Sequence, residues 1–250
     1  MSLLRLSRRQ ILRLTGAAAS SALLAACTRE TKVSPLAWKP PPTMAPTPTA
    51  RGPEPLGPEA ALARLLEGNQ RYTAGLATHP DQTAERRAAL NAAQAPFAAV
   101  LTCADSRVPP EIIFDQGLGD LFVARVAGNI LSEALLGSLE YAVQTLATPL
   151  ILVLGHERCG AVQVTLDAIA NGVAAPGHMA SLAEALRPAV EEARQQSGDV
   201  LDYAIRANVR DVVRQLRTQS ALLEKKLGQG SVKLLGAYAS LDTGVVELLA

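Results

Sequence analysis

Three short apolar runs, at residues 97–102, 121–126 and 150–154, are separated by stretches whose apolar residues recur at helical spacing. Each run is too brief for a typical helix, so each is read as a strand buried on both faces. Between the second and third, residues 132–146 carry Leu135, Leu136, Leu139, Val143 and Leu146 on one side, the pattern of a helix lying on a sheet. Strands alternating with helices predict βαβ units with right-handed crossovers. The expected fold is therefore α/β, a mainly parallel β-sheet flanked by helices. Upstream, apolar spacing from Pro58 predicts a helix whose end Gly68 and Tyr72 mark, and a second helical piece spans residues 83–93. Further helices are expected over residues 161–170, 181–195 and 201–227, the last with a possible break. Residues 233–241, the turn Asp242-Thr243-Gly244 and residues 245–249 read as a C-terminal hairpin.

The chain of 250 residues has room for one such domain and an appendage. Residues 1–27 have the layout of a signal peptide: Ser7-Arg8-Arg9 precedes an uncharged run over residues 14–26, and paired arginines suggest twin-arginine export. That run is too short to span a bilayer, which takes about 20 residues. Leu24-Ala25-Ala26-Cys27 resembles a lipobox, which makes Cys27 the expected lipidation site. Residues 28–57, rich in proline, read as a linker, leaving 58–250 as the folded domain. The expected location is outside the cytoplasm, periplasmic or cell-surface, with contact to a membrane only through the lipid. A formal net charge of +1 gives no electrostatic footprint for nucleic acid, and with aromatic residues at 3% a stacking platform has little to be built from.

Two motifs fall where chemistry belongs. The first strand runs into Cys103-Ala104-Asp105-Ser106-Arg107, and the third into Gly155-His156-Glu157-Arg158-Cys159-Gly160. In open α/β sheets, ligands bind at the carboxyl ends of strands. Two thiolates and an imidazole, Cys103, His156 and Cys159, form a borderline-soft set suited to Zn²⁺, and three protein ligands leave a catalytic site one open position. Asp105 either completes the tetrahedron or pairs with Arg107 as an acceptor beside the metal. A Cys103–Cys159 disulfide is the competing arrangement, and it would leave His156 and Asp105 without a shared purpose.

From Pro58 to the C-terminus the sequence resembles the β-class carbonic anhydrases. Both motifs match, as do Gly68-Asn69-Gln70-Arg71-Tyr72, Asp115-Gln116-Gly117-Leu118-Gly119-Asp120, Ala127-Gly128-Asn129, Ser138-Leu139-Glu140-Tyr141 and Gly236-Ala237-Tyr238. The resemblance implies one Zn²⁺ per subunit on Cys103, His156 and Cys159, an Asp105–Arg107 dyad, and reversible hydration of CO₂ to bicarbonate and a proton by a zinc-bound hydroxide. It further implies substrate contacts from Gln94 and the Gly160 N–H, a pocket shaped by Phe122 and Tyr141, and a homodimer or higher homo-oligomer, since family members contribute some pocket residues across a dimer interface. Val100 stands where the bicarbonate-inhibited subgroup has tryptophan, which speaks against that subgroup. Arg125-Val126 replaces the family's common Arg-Asn. Neither His79 nor His178 matches a proton shuttle. Relatives with the same ligands hydrolyse carbon disulfide or carbonyl sulfide, and a non-catalytic zinc or bicarbonate module would need none of Asp105, Arg107 and Gln94.

Overall fold

A computed structural model describes residues 56–249. Cys27, the signal segment and nearly all of the linker lie outside them. A five-stranded sheet has the order β2-β1-β3-β4-β5, with β1 (Ala98–Thr102), β2 (Leu121–Arg125), β3 (Leu150–His156) and β4 (Lys233–Ala239) parallel and β5 (Val246–Leu249) antiparallel to β4. The parallel core and the closing antiparallel pair are those expected from the sequence.

Helices cover both faces because the strands alternate their apolar side chains with period two. Ala99, Leu101, Ile151 and Val153 pack in one cluster with Leu139 and Val143 of α4 (Glu133–Gln144), Val209 and Leu216 of α7 (Val200–Gln219) and Leu223 of α8 (Ala221–Gly228). Val100, Leu150, Leu152 and Leu154 pack on the other face, with Ala61 and Leu65 of α1 (Pro58–Thr73) and Ile113 of α3 (Pro110–Ile113). A third cluster joins Cys103 and Cys159 to Val162 of α5 (Gly160–Asn171), Leu186 and Val190 of α6 (Met179–Ala193) and Ala204 and Ile205 of α7. Each fully buried leucine contributes on the order of 2 kcal/mol.

Three helical boundaries sharpen the expectation. Gly68 lies inside α1, which continues to Thr73. A Cβ at Gly68 would sit 1.8 Å from the Phe114 carbonyl oxygen, so glycine there permits a close backbone approach rather than an ending. The piece expected over 83–93 is the short α2 (Ala84–Ala89), capped by the Thr83 hydroxyl accepting from the Arg86 N–H at 3.1 Å. The stretch expected over 201–227 divides at Ser220, which is extended at φ −123° and caps α8 by accepting from the Leu223 N–H at 3.0 Å.

The order β2-β1-β3 places the connection leaving β1 on one side and β3 on the other. A crevice therefore opens at the carboxyl ends of β1 and β3, where both chemical motifs begin.

Candidate metal centre

Cys103 directly follows β1, His156 ends β3, and Cys159 caps α5, so two neighbouring strands deliver all three side chains to one place. Their Sγ and imidazole nitrogen atoms lie within 4.8 Å of one another, and all three residues are buried. The two sulfurs are 4.0 Å apart and belong to free cysteines. A tetrahedral ion about 2.3 Å from each sulfur needs them roughly 3.8 Å apart, so the separation already fits zinc.

His156 supplies the sharper test. Its Nδ1 lies 2.9 Å from the Glu157 carbonyl oxygen, which can only accept, so the ring proton sits on Nδ1. Nε2 is left with a lone pair, and it is a fully buried atom with no hydrogen-bond partner. A buried acceptor without a partner costs on the order of 1–3 kcal/mol, and a metal ion among the three ligands removes that cost. The residues present therefore fit the group.

The two sulfurs are prepared unequally, Cys103 being the one shifted toward the thiolate. The Gly128 N–H reaches Cys103 Sγ at 3.2 Å, and Gly128 adopts φ +76°, a conformation that favours glycine. Its carbonyl is held by Asn208 Nδ2 at 2.9 Å. Hydrogen bonding from the Cys159 thiol pushes the Cys103 pKa down, while sharing that proton with Cys103, together with burial, pushes Cys159 up. The Val162 and Ala161 N–H groups at the start of α5 favour the Cys159 thiolate.

Asp105 is taken up by Arg107. The guanidinium donates from Nε to Oδ1 at 2.9 Å and from Nη2 to Oδ2 at 2.7 Å, and the Arg107 backbone N–H adds a bond to Oδ1 at 2.9 Å. These bonds hold the Asp105 carboxyl well below the usual carboxylate range. Oδ2 remains 3.9 Å from His156 Nε2, beside the ligand group rather than within it. Of the two positions open to this carboxylate, the acceptor paired with arginine is the one seen. Arg125 steadies the loop by donating to the Cys103 and Asp105 carbonyls at 2.9 and 2.6 Å. Behind Arg107 lies a cavity of about 300 Å³ lined in part by Tyr72, Val108, Arg158 and Leu241.

The structure does not bring Gln94, Phe122 and Tyr141 to this crevice in one chain. Gln94 is exposed in the segment before β1, at the opposite end of that strand from Cys103. Phe122 pairs with Ala99, four residues back from Cys103, or about 13 Å along the strand. Tyr141 on α4 is 46% exposed, its ring centroid 6.2 Å from that of Phe122. Gly160 does sit at the crevice, exposed at the first turn of α5 with open space over its Cα. Sequence reasoning missed Gly128 and Arg125 as supports of the site. Gly128 stood in a stretch already singled out, and its glycine was the available signal.

A family model described as carbonic anhydrase matches residues 98–246. Carbonic anhydrase 2 of Mycobacterium tuberculosis is 43% identical over 187 residues, covering 75% of this chain and 90% of that protein. The chain belongs to the β-class carbonic anhydrase family. The carbonic anhydrase of Mycolicibacterium smegmatis is 44% identical over 191 residues, 76% of this chain and 93% of its own length. Among solved structures, a Coccomyxa β-carbonic anhydrase in complex with acetazolamide superposes with a TM-score of 0.57 at 27% identity, covering 75% of this chain and 86% of that one. The family's general reaction is the hydration of CO₂, and the buried Cys103, His156 and Cys159 form a β-carbonic anhydrase centre able to hold a metal ion.

Proposed function

We propose that the chain catalyses reversible hydration of CO₂ to bicarbonate and a proton with one Zn²⁺ held by Cys103, His156 and Cys159. The observation that carries this reading is the partnerless His156 Nε2, buried among two sulfurs and beside an intact Asp105–Arg107 pair. When bound, Zn²⁺ supplies Lewis-acid activation of water, lowering its pKa to about 7. Asp105, kept ionised by Arg107, offers Oδ2 as an acceptor that orients the O–H of the reacting water. With so low a pKa it holds no proton at neutral pH, so the released proton passes to solvent and buffer. His79 is exposed with its backbone N–H on Asp115, and His178 is exposed at the start of α6, positions that fit surface roles. The Gly160 N–H, at the positive end of α5, is placed to meet a substrate oxygen as negative charge develops.

A second copy of the chain completes the pocket. Support comes from β2, an edge strand carrying the half-buried Phe122, and from the exposed Tyr141 beside it. Contact along that edge lets one subunit lend Phe122, Tyr141 and Gln94 to the crevice of another. Export by a twin-arginine signal, lipidation at Cys27 and a tether over residues 28–57 extend the proposal to a periplasmic or cell-surface enzyme. The Leu24-Ala25-Ala26-Cys27 sequence supports it. Fatty-acid labelling of the full chain, lost in Cys27→Ala, is the expected result.

Stopped-flow CO₂ hydration with parallel metal analysis tests the catalytic reading. Activity proportional to zinc content, and greater on CO₂ than on carbon disulfide or carbonyl sulfide, is expected. Full activity in metal-free protein would overturn it.

A further inference from the structure

The turn between His156 and Cys159 is fastened to a distant part of the chain, and one carboxylate makes most of the fastening. Glu157 Oε2 accepts from the Ser240 hydroxyl at 3.0 Å, the Leu241 N–H at 2.7 Å and, more weakly, the Asp242 N–H at 3.3 Å. Its Oε1 accepts from Arg158 Nη1 at 2.6 Å. Arg158 in turn forks onto Asp242, with contacts of 2.6 and 3.1 Å, from a backbone at φ +51°, left-handed and costly for a residue with a Cβ. The backbone N–H of Glu157 bonds the Ala239 carbonyl at 2.9 Å, continuing the β3–β4 ladder by one step. What remains of Glu157 is its carbonyl oxygen, and this is the atom that accepts the hydrogen bond from His156 Nδ1–H.

We infer that Glu157 is a positioning residue for the metal centre: by anchoring the His156–Cys159 turn to the Ser240–Asp242 turn, it aims its own carbonyl at Nδ1 and so fixes the tautomer and ring orientation of His156. The inference rests on the zinc reading above and names a residue that the ligand motif itself leaves free. Three features make the anchor specific rather than generic turn packing. The side chain is mostly covered, it collects two backbone donors of the Ser240–Asp242 turn, and the same carboxylate holds the guanidinium of Arg158, the residue with the left-handed backbone. Removing the carboxylate lets the 157–158 peptide rotate, and His156 loses the acceptor that directs its lone pair at the ligand group. Outer partners of histidine ligands are typically worth 10–100-fold in metal affinity.

Zinc affinity of the purified full chain, measured by competition with a chromophoric chelator, tests this together with the visible spectrum of the cobalt-loaded protein. Glu157→Ala should weaken zinc binding by on the order of 10–100-fold and shift the cobalt ligand-field bands, and Glu157→Gln, which keeps the shape and one acceptor oxygen, by about tenfold. Glu59→Gln, which breaks the exposed pair with Lys233, should change neither reading. Should Glu157→Ala fail to fold, Glu157→Gln alone decides. Zinc affinity within threefold of the parent and an unchanged cobalt spectrum, whatever happens to thermal stability, would show Glu157 to be structural only and overturn the inference. If the parent chain itself bound no zinc, the functional reading would fall instead, so the two failures are distinguishable.

Discussion

At the carboxyl ends of β1 and β3 most polar atoms are paired inside the chain, whereas along the β2 edge Tyr141 is exposed beside a half-buried Phe122. Among its ligand atoms the first region leaves His156 Nε2 without a partner, and beside Gly128 the Asn129 Nδ2 is likewise unpaired. The second lacks a covering surface. The difference teaches what each region waits for: the crevice is finished by an ion small enough to fit among three ligand atoms, the edge by something with an apolar face of its own. A chain can pre-pay the ordering of polar groups around an ion, but it cannot bury its own sheet edge without another strand or helix.

The largest expected effect breaks the crevice alone. Cys159→Ser removes one of two thiolates and should abolish zinc binding and lower CO₂ hydration by more than ~100-fold, beyond the loss expected from an outer partner of a ligand. Metal analysis and stopped-flow rates check it, and an active variant with its full zinc complement would break the division between regions. Next, Asp105→Asn keeps the shape of the dyad while removing its charge. Rates should fall by about 100-fold with zinc content unchanged, the pattern of a group acting on reacting water rather than on the metal. If zinc were lost as well, Asp105 would belong among the ligands.

The β2 edge is tested by charge. Tyr141→Glu places like charges against each other wherever two edges meet, at a cost of several kcal/mol, and should dissociate the assembly in sedimentation experiments. Zinc content should stay full and activity fall by on the order of tenfold as pocket residues from the neighbour are withdrawn. A variant that remained assembled with unchanged rates would remove the β2 edge from the account.

How much of this was legible beforehand follows the same line. Residues 98–102 and 150–154 read as buried strands because every position in them is apolar or small, and the structure buries every one. Cys103 and His156 were therefore placed correctly at strand ends. The sheet order was not legible, because an alternating βαβ pattern fixes handedness but not which strand lies at an edge. Without that order, Phe122 could not be assigned to an outer strand, nor Gln94 to the far end of β1. Tyr72 marks the end of α1 to within one residue, whereas Gly68 lies inside it, because a glycine needed for a backbone crossing looks the same in sequence as one that ends a helix. Asp105 stayed open between two partners because a carboxylate two residues from an arginine and beside a metal site can reach either, and only the side-chain geometry decides.

The smallest effect sharpens the comparison from the side of stability. Arg107 holds the Asp105 pKa below its ordinary value, so the pair contributes stability that is fully present above the unfolded carboxyl pKa of about 4 and is lost as pH falls through the lower folded value. Arg107 is half-exposed, so solvent screening keeps that contribution small. In metal-free protein, the difference in unfolding free energy between the parent chain and Asp105→Asn should therefore be small at pH 7, no larger than for an ordinary surface ion pair. It should shrink steadily as the pH is lowered below about 4, where the unfolded chain takes up the proton, and be gone once the folded carboxyl is protonated at its lower value. Denaturant unfolding at a series of pH values reads both quantities. A gap of several kcal/mol at neutral pH would make the dyad a folding element, and the crevice would then owe its order to stability before chemistry. A small gap alongside the large rate loss expected for the same substitution assigns the pair to catalysis, because an ion pair worth so little to the fold leaves its carboxylate free to serve the reacting water.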